Sequence, residues 1–555
     1  MPSLWNGFIH DDRLQIVNNP QVQSWDYLSR LLTTHLWSQR GGDELGYYYR
    51  PLFSVWMLLV DMFAGLSPWI WHLSSILLHV GATYLVFRLC LELLANEGAA
   101  CVGAALFAIH PIHVDAVSWI SASNEILFTI FTLWALLFGT RASRDSGKNE
   151  GSILLSALFF GAALFAKETA VAVLPLFPVL RFLFARDDAT WRKRVLASLR
   201  FSLPYVTAIG VYFSIRLLVL QRIGVETGKH DWQKVFLSSL SIIAFYLKKL
   251  VWPVGLSGFY MNPLLSSPTL GMWISLLGIL AGIALVIWLS FRYSTLIGFS
   301  GLLVLLPLLP VLIGLRVYDQ GNMTHDRYLY LPSVGLSLLL GLAAKQMWPS
   351  TVPRRAFIGA VMAMAGFYAY LTFVQQKFYI DDEAFYKRGI AVAPDNVLVI
   401  DYLGNLYLRQ GRTNDALKQF ETAYRLSPDD PNVKFAYARG FFETQQYGAA
   451  EPIFKELANP SVIKNPRRRA LILLSLGNDE IRLKKLDAAE QTLRSLDALD
   501  SEYPTLHRTL GTVFQMEGRL AEAQAEYRKE FEVSGDTEAR RQAMVLAQYL
   551  RSRNQ

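Results

Sequence analysis

An all-α membrane protein carrying a helical-repeat domain is the architecture this sequence predicts, on three observations. Of its 555 residues, 52% are hydrophobic and only 18% charged, against about a quarter charged in soluble proteins, and the mean hydropathy is +0.27. Before about residue 377 long apolar runs dominate, whereas afterwards charged residues recur at helical spacing with no long apolar run. In that second part Ala416 and Phe420 return as Ala450 and Phe454, 34 residues later, the period of a tetratricopeptide repeat. Residues 1–376 therefore read as a polytopic membrane domain, 377–396 as a linker helix and 397–555 as the repeat domain.

A spanning helix needs about 20 mostly apolar residues. Ten segments qualify: 72–94, 99–112, 116–139, 151–166, 168–185, 202–220, 271–290, 296–314, 328–346 and 356–376. The second and fourth are short and must tilt or flank buried polar loops. Two further segments, 52–64 and 235–252, are shorter or interrupted by Lys248, Lys249 and Pro253, and read as interfacial. Residues 1–68 then form the first external loop. Nothing before Asp11 could anchor or export the chain, so a membrane helix ahead of this loop is expected.

Basic residues in short loops mark the cytoplasmic side. The loops 141–148, 186–194, 291–294 and 345–355 all carry them, and ten spans put all four on one side. The N-terminal segment, the HPIHVD loop, Lys167 with Glu168, the loop 315–327 and the repeats then share the opposite side. The formal charge of +8 has the same origin, so nucleic acid is not an expected partner. Cys90 and Cys101 both lie in or beside apolar runs, which provides neither a disulfide framework nor a zinc site.

The repeats follow from packing. LGNLY at 403–407 with Ala416, Phe420 and Pro428 is followed by Ala438, Phe441, Ala450 and Phe454; LG at 476–477 with Ala489 and Leu493 comes next, then LG at 510–511 with Phe514, Ala523 and Tyr527. Small residues let paired helices approach, large ones fill the gap, and stacking buries faces that one repeat could not bury alone. About four repeats result. They offer a groove for a protein or peptide, or else serve as a spacer or self-association device. NPRRR at 465–469 reads as a solvated loop between them.

Polar residues at the mouths of spans are costly and therefore mark function. The non-cytoplasmic side gathers Asp11 and Asp12 in FIHDDRLQIVNNP, Arg50 in YYYRP, His110, His113 and Asp115 in HPIHVDAVSWISASNE, Lys167 and Glu168 in AKET, and Arg327 in THDRYLYLPS. Such a set fits attack by a hydroxyl on an activated carbon, with one carboxylate taking the proton and cations holding the phosphate that leaves. Each member also has a structural reading. Asp11 and Asp12 cap a turn, Lys167 and Glu168 snorkel and cap, and Asp326 pairs with Arg327 in a loop. Pro111 interrupts the His110–His113 spacing and no third ligand stands near, so hydrogen bonding or phosphate contact is expected of them and not a metal site. The conjunction carries the inference.

FIHDD followed by NNP, then YRP, HPIHVDAVSWISASNE, a KE after a short span, RYLYLPS before a late span, and the repeats together resemble the transmembrane and tetratricopeptide-repeat O-mannosyltransferase family over essentially the whole chain, in a bacterial form. The resemblance implies a GT-C glycosyltransferase fold with its catalytic carboxylate in the first external loop. It implies a polyprenyl-phosphate mannose donor, a protein hydroxyl as acceptor, and inversion at the anomeric carbon. By position it makes Asp11 the general base, with Asp12 its alternative or an orienting group. Arg327 leads the donor-phosphate ligands, since a guanidinium can donate two hydrogen bonds to phosphate; Arg50, His110, His113 and Lys167 follow, oriented by Asp115 or Glu168. No metal ligands are expected, and dependence on a divalent metal is left open. Two departures are the absent first helix and the small number of repeats.

Three other readings compete. The same site could transfer another lipid-linked sugar, or serve a glycan or lipid acceptor. The chain could be a non-enzymatic, membrane-anchored repeat scaffold, although an anchor gains nothing from Asp, Arg and His beside the membrane. A transporter would want broken helices in two matching halves, and no such symmetry is visible. The expected location is a bacterial inner membrane with site and repeats in the periplasm; in an endoplasmic reticulum membrane both would be luminal, and the sequon at Asn322 would then matter.

Overall fold

The computed structural model describes residues 2–40, 48–144, 150–184, 190–221, 230–318, 320–347 and 351–553. The basic-loop segments 145–149, 185–189 and 348–350 and Tyr47 of the YYYRP motif lie outside the described residues. The chain divides into two compact units, 1–396 and 397–555, and every regular element among the described residues is helical.

The first unit opens with 3-10 and π turns and continues through α1 (Leu28–Thr33), α2 (Pro51–Ala64), α3 (Pro68–Leu94), α4 (Glu97–Ile109), α5 (His113–Ser118), α6 (Asn124–Arg144), α7 (Glu150–Ala166) and α8 (Leu176–Phe184). Then come α9 (Trp191–Phe201), α10 (Leu203–Leu220), α11 (Trp232–Val251), α12 (Leu270–Arg292), α13 (Leu296–Leu305), α14 (Leu309–Gly314), α15 (Pro332–Met347), α16 (Thr351–Gln376) and α17 (Asp382–Val392).

Among the described residues six stretches are long and apolar enough to cross a bilayer unaided: 68–94, 120–144, 191–220, 270–292, 296–314 and 354–379. The expected spans 99–112, 151–166, 168–185 and 328–346 appear as helices of 13, 17, 9 and 16 residues. Between α7 and α8, Lys167 leads into the 3-10 turn Glu168–Val173. These helices pack against protein, so they need not cover the bilayer unaided. Lys248 and Lys249 do not interrupt 235–252; they close an unbroken α11 whose buried face is Val235, Ser238, Ile242, Tyr246 and Leu250. By contrast the apolar window of α12 is wholly unburied, a surface whose solvent is lipid.

Inside the bundle, some polar groups are satisfied in chains. Phe177 stacks on Tyr205 at 3.9 Å; the Tyr205 hydroxyl donates to Ser156 Oγ at 2.7 Å, which donates to the Ala135 carbonyl at 2.6 Å. Small residues let backbones touch. A Cβ on Gly103 would lie 2.6 Å from the Ser337 carbonyl oxygen, and one on Gly335 2.6 Å from that of Ser300. Gly103→Ala should therefore push α4 off α15 and cost about 1–3 kcal/mol, read as a lowered thermal midpoint of the detergent-solubilised chain.

The second unit stacks α18 (Val397–Arg409) on α19 (Thr413–Leu426), α20 (Pro431–Glu443) on α21 (Tyr447–Ala458), α22 (Pro466–Arg482) on α23 (Leu486–Leu499), and α24 (Leu506–Met516) on α25 (Leu520–Ser534), and ends in α26 (Thr537–Arg553). In three pairs a glycine faces a large side chain: a Cβ at Gly404 would meet Phe420 at 2.5 Å, at Gly477 Leu493 at 2.7 Å, and at Gly511 Tyr527 at 2.9 Å. NPRRR is not a loop. Pro466 opens α22 and Asn465 caps it, its side chain accepting from the Arg468 N–H.

Candidate active site

The two carboxylates of FIHDD are separated by how the backbone turns. His10 sits in the left-handed region, φ 46°, a costly place for a residue with a Cβ that is often associated with functional sites. The helical turn that starts at Asp11 widens into a π-turn over Arg13–Val17. Asp12 consequently points inward and is fully buried. Its Oδ1 accepts from the Ser121 N–H at 2.7 Å and hydroxyl at 2.6 Å, and its Oδ2 from the Ile9 N–H at 3.2 Å. Asp11 points the other way, with its side chain 32% exposed.

Burial pushes the Asp12 carboxyl up to about 7, against the hydrogen bonds from Ser121 and Ile9. A carboxyl that holds its proton more tightly folded than unfolded gives full stability below the unfolded value of 3.8 and loses it as pH rises through the folded one. The margin of the wild type over Asp12→Asn should therefore narrow between about pH 4 and pH 7, a trend that thermal unfolding of both proteins across that range would show.

The His10 imidazole is boxed in by Trp119, Phe259 and Tyr386, with ring centroids at 5.5, 5.5 and 5.7 Å. Its Nδ1 is 2.9 Å from the Tyr386 hydroxyl and its Nε2 3.6 Å from Asp11 Oδ1. The His10 N–H donates to Asp382 Oδ1 at 2.6 Å, and Arg13 Nε to Asp382 Oδ2 at 2.7 Å. Asp382 and Tyr386, both on α17, thus bracket the acidic pair from 372 and 376 residues away.

The cations differ in what they have left to offer. Arg327 lies over the Trp119 ring at 4.4 Å and the Tyr328 ring at 5.4 Å. Its backbone N–H donates to Asp115 Oδ2 at 3.0 Å, and its Nη1 stands 3.6 Å from the same oxygen. That Nη1 is buried and makes no hydrogen bond among the described residues, an unused donor that would gain from an anion. Arg50 is already engaged, donating to Glu168 from Nε at 2.9 Å and from Nη2 at 2.6 Å. Lys167 donates to Glu125 and lies over the Tyr328 ring at 4.8 Å. The charge of Arg327 interacts with those of Asp115, Glu125 and Asp11, and that of Lys167 with Glu125, Arg50 and Glu168. One electrostatically continuous strip therefore joins Asp11, Arg327, Lys167 and Arg50.

Some expected members are not in it. His110 and His113 are 3% exposed; their Nε2 atoms bond the Leu250 carbonyl at 3.0 Å and the Ser333 hydroxyl at 2.9 Å. They pin the segment after α4 to α11 and α15. Asp326 does not pair with Arg327, because it accepts from the Tyr260 hydroxyl at 2.6 Å and the Ser257 N–H at 2.9 Å. Burial and the neighbouring Asp115 push its carboxyl up to about 7. Four residues not singled out from the sequence join the strip: His10, Trp119, Glu125 and Tyr328. Trp119 and Glu125 lie within the HPIHVDAVSWISASNE stretch and Tyr328 follows Arg327 in RYLYLPS, so motif continuity was their available signal. Among the described residues no three His, Cys, Asp or Glu side chains converge as a metal site.

Comparison with known proteins meets this geometry at two places. Residues 50–215 match the dolichyl-phosphate-mannose-protein mannosyltransferase family and residues 403–466 a tetratricopeptide repeat. The human protein O-mannosyl-transferase TMTC1 is 26% identical over 480 residues, covering 77% of this chain and 53% of that protein. Human TMTC3 is 23% identical over 575 residues, 96% of this chain and 62% of its own length. Drosophila melanogaster Tmtc2 reaches 33% over 195 residues, 34% of this chain and 21% of that protein. The chain thus spans between about half and three-fifths of the length of the first two relatives.

The apolar helices and the matched segment 50–215 define an integral membrane protein that resembles the protein mannosyltransferases. With its tetratricopeptide match at 403–466, the chain is similar to the protein O-mannosyl-transferases TMTC1 and TMTC3 over 77% and 96% of its length.

Proposed function

We propose that this chain is a membrane glycosyltransferase that moves mannose from a polyprenyl-phosphate carrier to Ser or Thr hydroxyls of a protein acceptor, with inversion. The observation that carries the reading is that one electrostatic strip holds a partly exposed carboxylate, Asp11, and a guanidinium, Arg327, whose buried Nη1 has no hydrogen bond among the described residues. Asp11 takes the proton of the acceptor hydroxyl as its oxygen attacks the anomeric carbon. The bond from that carbon to the phosphate oxygen breaks, its electron pair leaves with the polyprenyl phosphate, and Arg327 stabilises the departing charge. Attack opposite the leaving group inverts the centre. Arg50 and Lys167, each balanced by an acid, supply field and shape around the phosphate in this scheme. Asp12 anchors the loop. His10, held by Tyr386, orients Asp11.

The strip is assigned to the non-cytoplasmic side, periplasmic in a bacterial inner membrane or luminal in an endoplasmic reticulum, because Arg141 and Arg144 close α6 at the end away from Ser121 and Asp12. The repeats would dock the acceptor. Half-buried rings of Tyr424 and Tyr437, stacked at 4.8 Å, and of Phe441, 4.5 Å from Tyr437, bridge the first two helix pairs, a surface suited to an extended peptide.

The reading is tested by supplying membranes containing the chain with radiolabelled polyprenyl-phosphate mannose and a mixture of unfolded proteins. Label should enter protein, and not when the donor is polyprenyl-phosphate glucose. Label in the lipid or glycan fraction would reassign the acceptor, and no transfer from any lipid-linked sugar by folded protein would overturn the enzymatic reading.

A further inference from the structure

The opposite end of the bundle carries a second cluster of cations that the transfer reaction does not use. Helix α6 begins at Asn124, three residues beyond the Ser121 that holds Asp12, and ends at Arg144; at 1.5 Å per residue its 21 residues cover about 30 Å. At that far end Arg181 of α8, itself buried, donates from Nη1 to the Ser143 carbonyl at 3.0 Å. Beside it α7, α8 and α9 enclose a cleft of about 410 Å³.

The lining of this cleft is of two kinds. Arg181, Lys193 and Arg200 supply three positive charges and no acid among the described residues lines it, while Ile153, Leu196 and Phe201 give an apolar wall. Lys193 and Arg200 are seven residues apart, two turns of α9, and so share a face. Neither makes a hydrogen bond or ion pair among the described residues. The charge is not a general property of this end: the neighbouring cleft of about 180 Å³, formed by Val179, Phe182, Val195 and Leu199 among others, contains no charged residue.

The apolar wall continues onto surface that faces lipid. Next to Ile153, α7 exposes Leu154 at 60% and Leu158 at 59%, and just after Phe201 Leu203 of α10 is 61% exposed. A small soluble anion would leave that wall uncovered. A phosphodiester carrying an acyl chain covers both halves of the cleft, and cations at this depth draw anionic headgroups.

We propose that the cleft between α7, α8 and α9 is a binding site for an anionic phospholipid, with its phosphate among Arg181, Lys193 and Arg200 and an acyl chain along Ile153, Leu196 and Phe201. The site lies in the leaflet opposite the acidic strip and is independent of the transfer reaction. Its occupancy would fix α9 on α7 and α8.

The full chain in nanodiscs of equal phosphatidylcholine and phosphatidylglycerol, released into the gas phase and weighed by native mass spectrometry, should retain phosphatidylglycerol in preference. Lys193→Gln/Arg200→Gln should lower that preference by roughly tenfold or more, whereas Arg292→Gln, a cation outside the cleft, should leave it unchanged. All three substituted residues are on exposed surface, and thermal unfolding checks that the variants are folded. Equal retention of the two lipids by the wild type, or an unaltered preference in the double variant, overturns the proposal. Displacement of phosphatidylglycerol by inorganic phosphate or glycerol 3-phosphate would instead assign the cleft to a soluble phosphate and overturn the lipid.

Discussion

Asp11→Asn should lower the rate of sugar transfer by about a thousandfold while leaving the protein folded, as expected when a positioned general base is removed. The side chain is 32% exposed, and no hydrogen bond of the loop's backbone ends on it, so the amide is accommodated without cost to the fold. Asp12 behaves differently. Its truncation to Ala strands the Ile9 and Ser121 N–H groups that it accepts, at about 1–3 kcal/mol for each buried donor left unmade. Activity lost in Asp12→Ala should therefore follow lost protein and a lowered melting temperature. Measuring kcat at saturating donor for both variants, normalised to folded protein, separates the roles. An Asp11→Asn enzyme with near wild-type kcat, beside a stable but inactive Asp12→Asn, would reverse the assignment of the base.

How much of this could be read from the chain depends on the range of the forces involved. The helical class and the repeats were legible because their period lies within 34 residues, and the glycine-against-aromatic fit at Gly404 and Phe420 is the packing that period implies. The acidic pair, RYLYLPS and the HPIHVD segment were legible as polar breaks in an apolar chain. What covers each apolar run was not. Hydropathy registers that residues 151–166 are apolar without showing that α7 packs on α6 and α10 and exposes Leu154 and Leu158 elsewhere. Hydrogen bonding, one of the two roles expected of His110 and His113, was legible, but not its partners, a carbonyl and a hydroxyl contributed by residues 250 and 333. The bracket on the acidic loop was out of reach for a similar reason. Asp382 meets His10 and Arg13 only after the whole first unit has folded, and the left-handed turn at His10 carries no glycine or asparagine to announce it.

Arg327→Lys should reduce kcat/KM for the lipid-phosphate donor by about a hundredfold or more, the scale reported for removing one preorganised donor to developing charge. The guanidinium is fixed on three sides, by the faces of Trp119 and Tyr328 and by Asp115. What remains is the unbonded Nη1, and a planar fork at that place matches a phosphate in a way a single ammonium does not. Lysine would keep the charge, so a purely electrostatic role predicts a small effect and a geometric clamp a large one. Because the leaving phosphate gains charge as the bond breaks, the loss should appear in kcat as well as in KM. Arg50→Lys sets the contrast: it breaks the two-point contact with Glu168 and should show first as lost stability. Steady-state kinetics with the donor varied distinguish the two. If Arg50→Lys loses donor affinity at unchanged stability while Arg327→Lys behaves as wild type, the clamp belongs to Arg50, and Glu168 must then release it when the phosphate arrives.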